Sequence, residues 1–259
     1  MKLAVDAPIL RYEDGQTRLL DDPVVVEYRL AVWLNGAPWV NLLCSPQDLD
    51  VLVLGYLYGE GIIKTPDDIL SIALAPEDGI ARVTVRGVPE MPAQAGPITA
   101  PRGAGRQHAM GGAGPGRPAE PLSGSLNFAG GALLRNLRQF YADSGLHRLT
   151  AGVHRAALCD DNGILLTAID ISRHNAFDKV LGMALRQNIP LECHYLITSG
   201  RVPSDMVNKA ITARLPMLVS RAAPTDWAIR LAREANMTLL GFSRENRFNI
   251  YTGAHRVNM

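Results

Sequence analysis

The densest chemistry in this chain lies in one run, Asp170-Ile-Ser-Arg173-His174-Asn175-Ala-Phe-Asp178-Lys179. Carboxylates, a guanidinium, an ammonium and an imidazole stand where an apolar strand, Ile164-Leu-Leu-Thr-Ala-Ile169, gives way to an amphipathic helix. That helix is marked by Phe177, Val180, Leu181, Ala184 and Leu185. Open α/β sheets place ligands at such strand exits. Arg173 and His174, close to the free N–H groups of a helix start, suit an anion such as phosphate. A charged loop in which Asn175 or Asp170 caps the helix fits the same residues.

Other strand ends repeat the theme. Thr150-Ala-Gly-Val-His154 precedes a strand, Ser199-Gly200-Arg201 follows one, and Phe242-Ser243-Arg244-Glu245-Asn246-Arg247 follows another. Each arginine alone is satisfied by solvent, and His154 alone fits a core histidine. Their recurrence at strand exits suits a ligand with several phosphates. Cys44 sits between a strand and a helix start, a position that lowers a thiol pKa, although a small buried hydrophobe fits there too. Cys159 and Cys193 lie in or beside strands, where packing is the simpler role. No Cys-x-x-Cys or His-x-Glu pattern is present, so a zinc deaminase would lack its soft ligands and its carboxylate base. Gly111-Gly-Ala-Gly-Pro-Gly116 lacks the Lys-Ser/Thr of a phosphate loop.

The elements that must position these groups follow from periodicity. Val24 to Leu34 and Trp39 to Cys44 are strands joined by Asn35-Gly36, a type I′ turn signal. Ser45-Pro46-Gln-Asp48 predicts a helix start, with Pro46 at its first position, running to Gly59-Glu60-Gly61. Residues 1–86 thus form a β-rich part with one helix. Residues 87–124 are rich in Gly and Pro and bury too little apolar surface to order themselves. From Ser125 to Met259 helices alternate with strands at a pitch that predicts a three-layer α/β domain with a mostly parallel sheet.

Composition narrows the class. The 259 residues are 47% hydrophobic with a formal charge of +1, which offers nothing to nucleic acid or an anionic membrane. No apolar run reaches bilayer length. The three cysteines are odd in number and widely spaced, so a reducing, cytoplasmic location is the expectation.

Taken in order, the motifs resemble the accessory sulfurtransferase family of formate dehydrogenases, the FdhD-type proteins. The matching pieces are Asn35-Gly36, Cys44-Ser45-Pro46-x-Asp48, Gly55-Tyr-Leu-x-x-Glu60-Gly61-Ile62-Ile63, Thr150-Ala-Gly-Val-His154-x-Ala156, the Asp170–Lys179 run, Ser199-Gly200-Arg201, Met206-Val207-x-Lys209, Ala223-Pro224-Thr225, Gly241-Phe242 to Arg247, and Tyr251-Thr252. The resemblance implies a cytidine-deaminase-like α/β core without its zinc, a smaller β-rich N-terminal part, and a homodimer. It implies binding of the molybdenum cofactor that carries two pterin guanine dinucleotides (bis-molybdopterin guanine dinucleotide), for which GDP or GMP is a partial mimic. It implies sulfur received from a cysteine desulfurase and passed to that cofactor for apo-formate dehydrogenase. The guanine nucleotide region maps onto Phe242, Ser243, Arg244, Glu245, Asn246 and Arg247; Arg173, His174, Arg201 and His154 would meet phosphate or pterin atoms. Family members carry a persulfide cysteine in the glycine-rich loop, where the best match here is Ala104 in Gly103-Ala104-Gly105. Alanine cannot hold a persulfide. The expected function is therefore cofactor binding and delivery without a loop persulfide. The alternative is sulfur transfer through Cys44, or through a native cysteine that Ala104 replaces.

Overall fold

The structure is a computed structural model that describes residues 1–87, 122, 125–142 and 145–259. Apart from Gly87 and Leu122, the expected 87–124 loop, Ala104 included, lies outside the described residues.

The chain opens with a long hairpin, β1 (Ala4–Glu13) and β2 (Gln16–Val25), turned by Asp14 and Gly15 at positive φ. A second hairpin follows, β3 (Tyr28–Leu34) and β4 (Ala37–Cys44). Its Asn35 and Gly36 have φ of 47° and 82°, the double left-handed geometry of the predicted turn. Helix α1 (Leu49–Gly59) is apolar on nearly every side, as suits a helix with no solvent face. Strands β5 (Ile69–Ala75) and β6 (Ile80–Val85) complete a four-stranded sheet of order β4-β3-β6-β5. One face of it packs on α1 through Leu30, Val32, Leu42, Leu52 and Leu57.

The second part begins with β7 (Phe128–Ala129), α2 (Gly130–Ala142) and α3 (Gly145–Thr150). Then come β8 (His154–Cys159), β9 (Ile164–Asp170), α4 (Arg173–Arg186), β10 (Tyr195–Thr198) and α5 (Ser204–Thr212). β11 (Met217–Ser220), α6 (Asp226–Glu234), β12 (Thr238–Arg244), β13 (Arg247–Thr252) and β14 (Val257–Asn258) close the chain, β14 pairing with β7. The large sheet runs β13-β12-β11-β10-β8-β9. Alternate residues of its strands face opposite cores. Leu196, Leu218 and Leu239 meet Phe177, Met206 and Ala228 of α4, α5 and α6. Tyr195, Ile197, Val219 and Leu240 meet Leu133, Leu137 and Phe140 of α2 on the other face.

Three local expectations are corrected. The sheet is mixed, with only β10–β11 and β11–β12 parallel, because two of its connections are hairpins and not crossover helices. Helix α1 starts at Leu49 and not Pro46, because Asp48 adopts a left-handed conformation (φ 53°) that holds the preceding turn outside the helix. Helix α4 starts at Arg173 with Ser172 in the cap position, so neither Asn175 nor Asp170 is its cap.

The two parts are joined where α1 crosses α4. A Cβ on Gly55 would overlap the Asp178 carbonyl, and one on Gly182 would overlap the Val51 carbonyl, so glycine on both helices permits backbone-to-backbone contact. Beside that crossing, Asp170 and Lys179, both fully buried, pair at 2.8 Å.

Candidate functional site

Strand β9 and the three parallel strands β10, β11 and β12 end at one edge of the large sheet, where the antiparallel β8 begins. That edge collects His154, Ser199, Arg221 and the β12–β13 turn. Ser220, fully buried, donates from Oγ to the Gly200 carbonyl (2.7 Å) and accepts from the Ala222 N–H (3.0 Å), tying the loops after β10 and β11 together. The main chain of Arg221 is held by its own N–H on the Thr198 carbonyl (3.1 Å) and by Arg244 Nη1 donating to its carbonyl (2.8 Å).

Two clefts open there. The first, about 380 Å³, is lined by Arg138, Tyr141, Arg221, Arg244, Glu245 and Asn246. It presents three guanidinium groups against one carboxylate. The Arg221 guanidinium carbon stands 5.2 Å from the centre of the Tyr141 ring, within cation–π range. The Tyr141 hydroxyl donates to the Ser243 carbonyl (3.0 Å). Burial pushes that phenol up to about 12, against the opposing pull of Arg221 and Arg244, so Tyr141 stays a neutral donor at physiological pH. The second cleft, about 250 Å³, is lined by Ala151, Gly152, Val153, His154, Ser199 and again Arg221. Ser199 Oγ accepts from the Arg155 N–H (3.0 Å) and lies 3.3 Å from His154 Nδ1.

The β12–β13 segment is less a loop than the sequence suggests. Strand β12 continues through Arg244, β13 starts at Arg247, and only Glu245 and Asn246 turn. The pairing slips between Gly241 and Arg244. Phe242 there has φ 49°, a left-handed conformation rare for a bulky residue, and the residue is 44% exposed while Ser243 is buried. Arg247 is exposed and pairs with Arg244 across the hairpin without lining either cleft.

The Asp170–Lys179 run forms joinery and lines neither cleft. Asp170 accepts from the Ser45 N–H (3.0 Å), the Ser172 N–H (3.0 Å) and Asn175 Nδ2 (2.9 Å), and Asn175 also donates to the Leu43 carbonyl (2.7 Å). Asp178 accepts from Lys209 at both carboxylate oxygens (2.7 Å), and Lys209 also meets Glu60 at 3.2 Å. His174 is buried with Nε2 3.1 Å from Asp205, close enough for an ion pair but off-line for a hydrogen bond. Arg173 lays its stem against Gly200, where a Cβ would approach it at 2.9 Å. Arg201 is exposed. Cys44 is fully buried at the end of β4, four residues before the cap of α1.

Of the residues singled out in the sequence, Ala151–His154, Ser199 and Arg244–Asn246 therefore line the clefts, and Phe242 lines neither. Arg138, Tyr141 and Arg221 were not legible as site residues. Arg138 and Tyr141 lie a helical turn apart on α2 (i, i+3), and Arg221 directly follows the four-residue strand β11; a basic residue at a strand exit was the available signal. Among the described residues, no group of three or more His, Cys, Asp or Glu is placed to hold a metal.

Fold and site define a mixed α/β protein with a guanidinium-lined cleft at one sheet edge. The FdhD/NarQ family model matches residues 25–258, and the chain belongs to that family. It is 33% identical to the sulfur carrier protein FdhD of Listeria monocytogenes (serotype 4b, strain F2365) over 260 residues, covering 99% of this chain and 100% of the relative. It is 31% identical to the protein of the same name from Bacillus subtilis (strain 168), covering 99% and 98%. A crystal structure described as a formate dehydrogenase accessory protein from Desulfotalea psychrophila superposes with a TM-score of 0.80 at 24% identity, covering 99% of this chain and 100% of that one. That likeness carries the fold.

Proposed function

We propose that this chain is a formate dehydrogenase maturation factor whose sheet-edge cleft binds the guanine nucleotide part of the bis-molybdopterin guanine dinucleotide molybdenum cofactor and delivers it to the apoenzyme. The observation that carries the reading is the cleft's charge: three guanidinium groups against one carboxylate, in the only such arrangement among the described cleft residues. Planar guanidinium donors match phosphate oxygens in pairs, so the donor set fits the cargo's pyrophosphate. Phe242, exposed on its bulge, offers a face on which a purine can stack. Glu245, at the turn, has the acceptor chemistry that reads the N–H edge of guanine. The relatives named as sulfur carriers and the neighbour described as an accessory protein point to the same process. The order of the large sheet supports the deaminase-like reading of the core.

The sulfur step belongs to the same proposal. A family persulfide position occupied by Ala104 leaves this chain as a carrier of the cofactor, not a donor of sulfur from that loop. The buried Cys44 argues against a relocated thiol, since a desulfurase must reach the sulfur it loads. Apo-formate dehydrogenase is the receiving partner. A cysteine desulfurase and a second copy of the chain are further partners under this reading.

Isothermal titration with GDP tests the nucleotide claim. Wild-type protein should bind, and Arg244→Ala should weaken binding about tenfold or more, the worth of one charge-assisted contact. Absence of GDP binding to the wild type, or equal affinity in the variant, overturns it.

A further inference from the structure

We infer that the N-terminal hairpin is an arm exchanged between two copies of this chain, a reading that rests on the second copy named above and not on the nucleotide. The distal face of each arm, carrying Leu10, Tyr12 and Leu19, lies against α3 of the other copy, where Leu149 is exposed. The arm precedes residue 25, where the family match begins.

The hairpin has two unlike faces. In the register of β1 on β2, Leu10 stands opposite Leu19, Tyr12 opposite Thr17 and Ala4 opposite Val25, so these residues share one face. Arg11, Glu13, Arg18 and Asp22 share the other, paired as Arg11–Asp22 (2.9 Å) and Arg18–Glu13 (2.7 Å). The ion-paired face suits water, and an antiparallel ribbon of this kind lays its apolar face on a core. The chain's own body covers that face at the base, where Val25 packs on Gly152 just beyond α3. Toward the tip, Leu10, Tyr12 and Leu19 are 65%, 73% and 83% exposed, and no residue of either strand is buried. A two-stranded ribbon is marginal by itself, and a bare apolar patch is an aggregation liability. A permanent partner conceals it at all times, a transient one only during encounters.

Area selects exchange over stacking of one arm on the other. At roughly 100 Å² apiece for Leu10, Tyr12 and Leu19, and roughly as much again from Pro8 and Thr17 together, one arm face presents about 400 Å². Two arms stacked on each other bury about 800 Å² in total, the size of a crystal contact, whereas two arms each laid on the other copy's body bury about 1,600 Å², the size of a stable interface. A two-fold axis crossing the arms carries each tip to the other copy's arm base, and so to its α3. Charge favours the same surface. With Arg11 and Arg18 paired, the charges left on the arm are Asp6, Asp14 and Asp21, and Arg148 stands exposed beside Leu149.

The test is sedimentation velocity of the full chain across a concentration series centred on about 10 µM. The proteins are wild type, Leu19→Lys, Leu149→Glu, the double variant Leu19→Lys/Leu149→Glu and, as a control on the ion-paired face, Gln16→Lys. All the substituted side chains are exposed, so each variant should keep the wild-type far-UV circular dichroism. Wild type and Gln16→Lys should be dimers, and each single variant on the apolar contact should dimerise at least about tenfold more weakly, since it buries an unpaired charge. The double variant should recover, because the lysine on each arm then meets the glutamate on the other copy's α3. A monomeric wild type overturns the exchange and the second-copy partner together, while GDP binding by the same sample still upholds the nucleotide reading. A dimer unchanged by Leu19→Lys overturns the arm as its interface. Dimers retained in Leu149→Glu but lost in Leu19→Lys, or no recovery in the double variant, overturn α3 as the surface that receives the arm.

Discussion

Asp170 shows how a residue that looks catalytic can be architectural. Its carboxylate is out of solvent, paired with Lys179, and saturated by donors from Ser45, Ser172 and Asn175. Removing one member of a buried ion pair strands the other charge, at a cost of about 3–5 kcal/mol. Asp170→Ala should therefore lower unfolding stability by that amount in urea denaturation; a loss under about 1 kcal/mol, the worth of an exposed pair, contradicts the role. Asp205 carries a pH signature. Burial alone would raise its pKa, but contact with His174, the His174 charge and the Met206 N–H outweigh it, and the group lies below the ordinary carboxylate value. A depressed folded-state pKa stabilises above the unfolded value of 3.8 and loses that contribution as pH falls through the folded value. Acid unfolding of Asp205→Asn should accordingly show a weaker pH dependence below about pH 4 than wild type, read as the slope of stability against pH. The cluster of charges was legible in the sequence as a cluster. Whether it served a ligand or the fold was not, because its partners Ser45 and Asp205 arrive from distant elements.

At the scale of elements, legibility followed locality. The Asn35-Gly36 turn was readable because two residues determine it. The alternation of helix and strand after Ser125 was readable from periodicity, and Thr225 caps α6 by accepting from the Ala228 N–H (3.3 Å). The bulge at Phe242 was not readable, since it depends on β12 meeting β13 out of step and on Gly241 packing under Pro224 and Tyr251. The crossing of α1 on α4 was likewise hidden: Gly55 and Gly182 each look like a helix weakness until the two helices are brought together. In isolation, Gly182→Ala would favour a helix by roughly 1 kcal/mol. Here the added methyl meets the Val51 backbone carbonyl, and backbone cannot yield as a flexible side chain does. The variant should be destabilised by about 1–3 kcal/mol or more, seen as a lowered Tm. A raised Tm would mean that the helices are not in contact at this point.

At the scale of the whole molecule, burial sorts the three cysteines into two inside and one outside. Cys44 belongs to the core between the small sheet and α1. Cys159 belongs to the core beneath α2, where burial, with Asp160 adding to it, pushes its thiol far above the ordinary value. Cys193 alone among them is exposed. Sulfur transfer needs a thiolate that a donor persulfide can reach, so the fold decides the chemistry before any local pKa does. A native-state thiol reagent should label Cys193 quickly, and Cys44 and Cys159 only at the rate of unfolding. Intact-mass spectrometry after anaerobic incubation with a cysteine desulfurase and cysteine carries the consequence through. Cys44 and Cys159 should gain no sulfur, and any reducible gain should map to Cys193 and vanish in Cys193→Ser. A persulfide mapped to Cys44 would require the α1 layer to open during the reaction. That opening would appear as Cys44 labelling in the presence of the desulfurase and not in its absence, and it would restore active sulfur transfer as this chain's function.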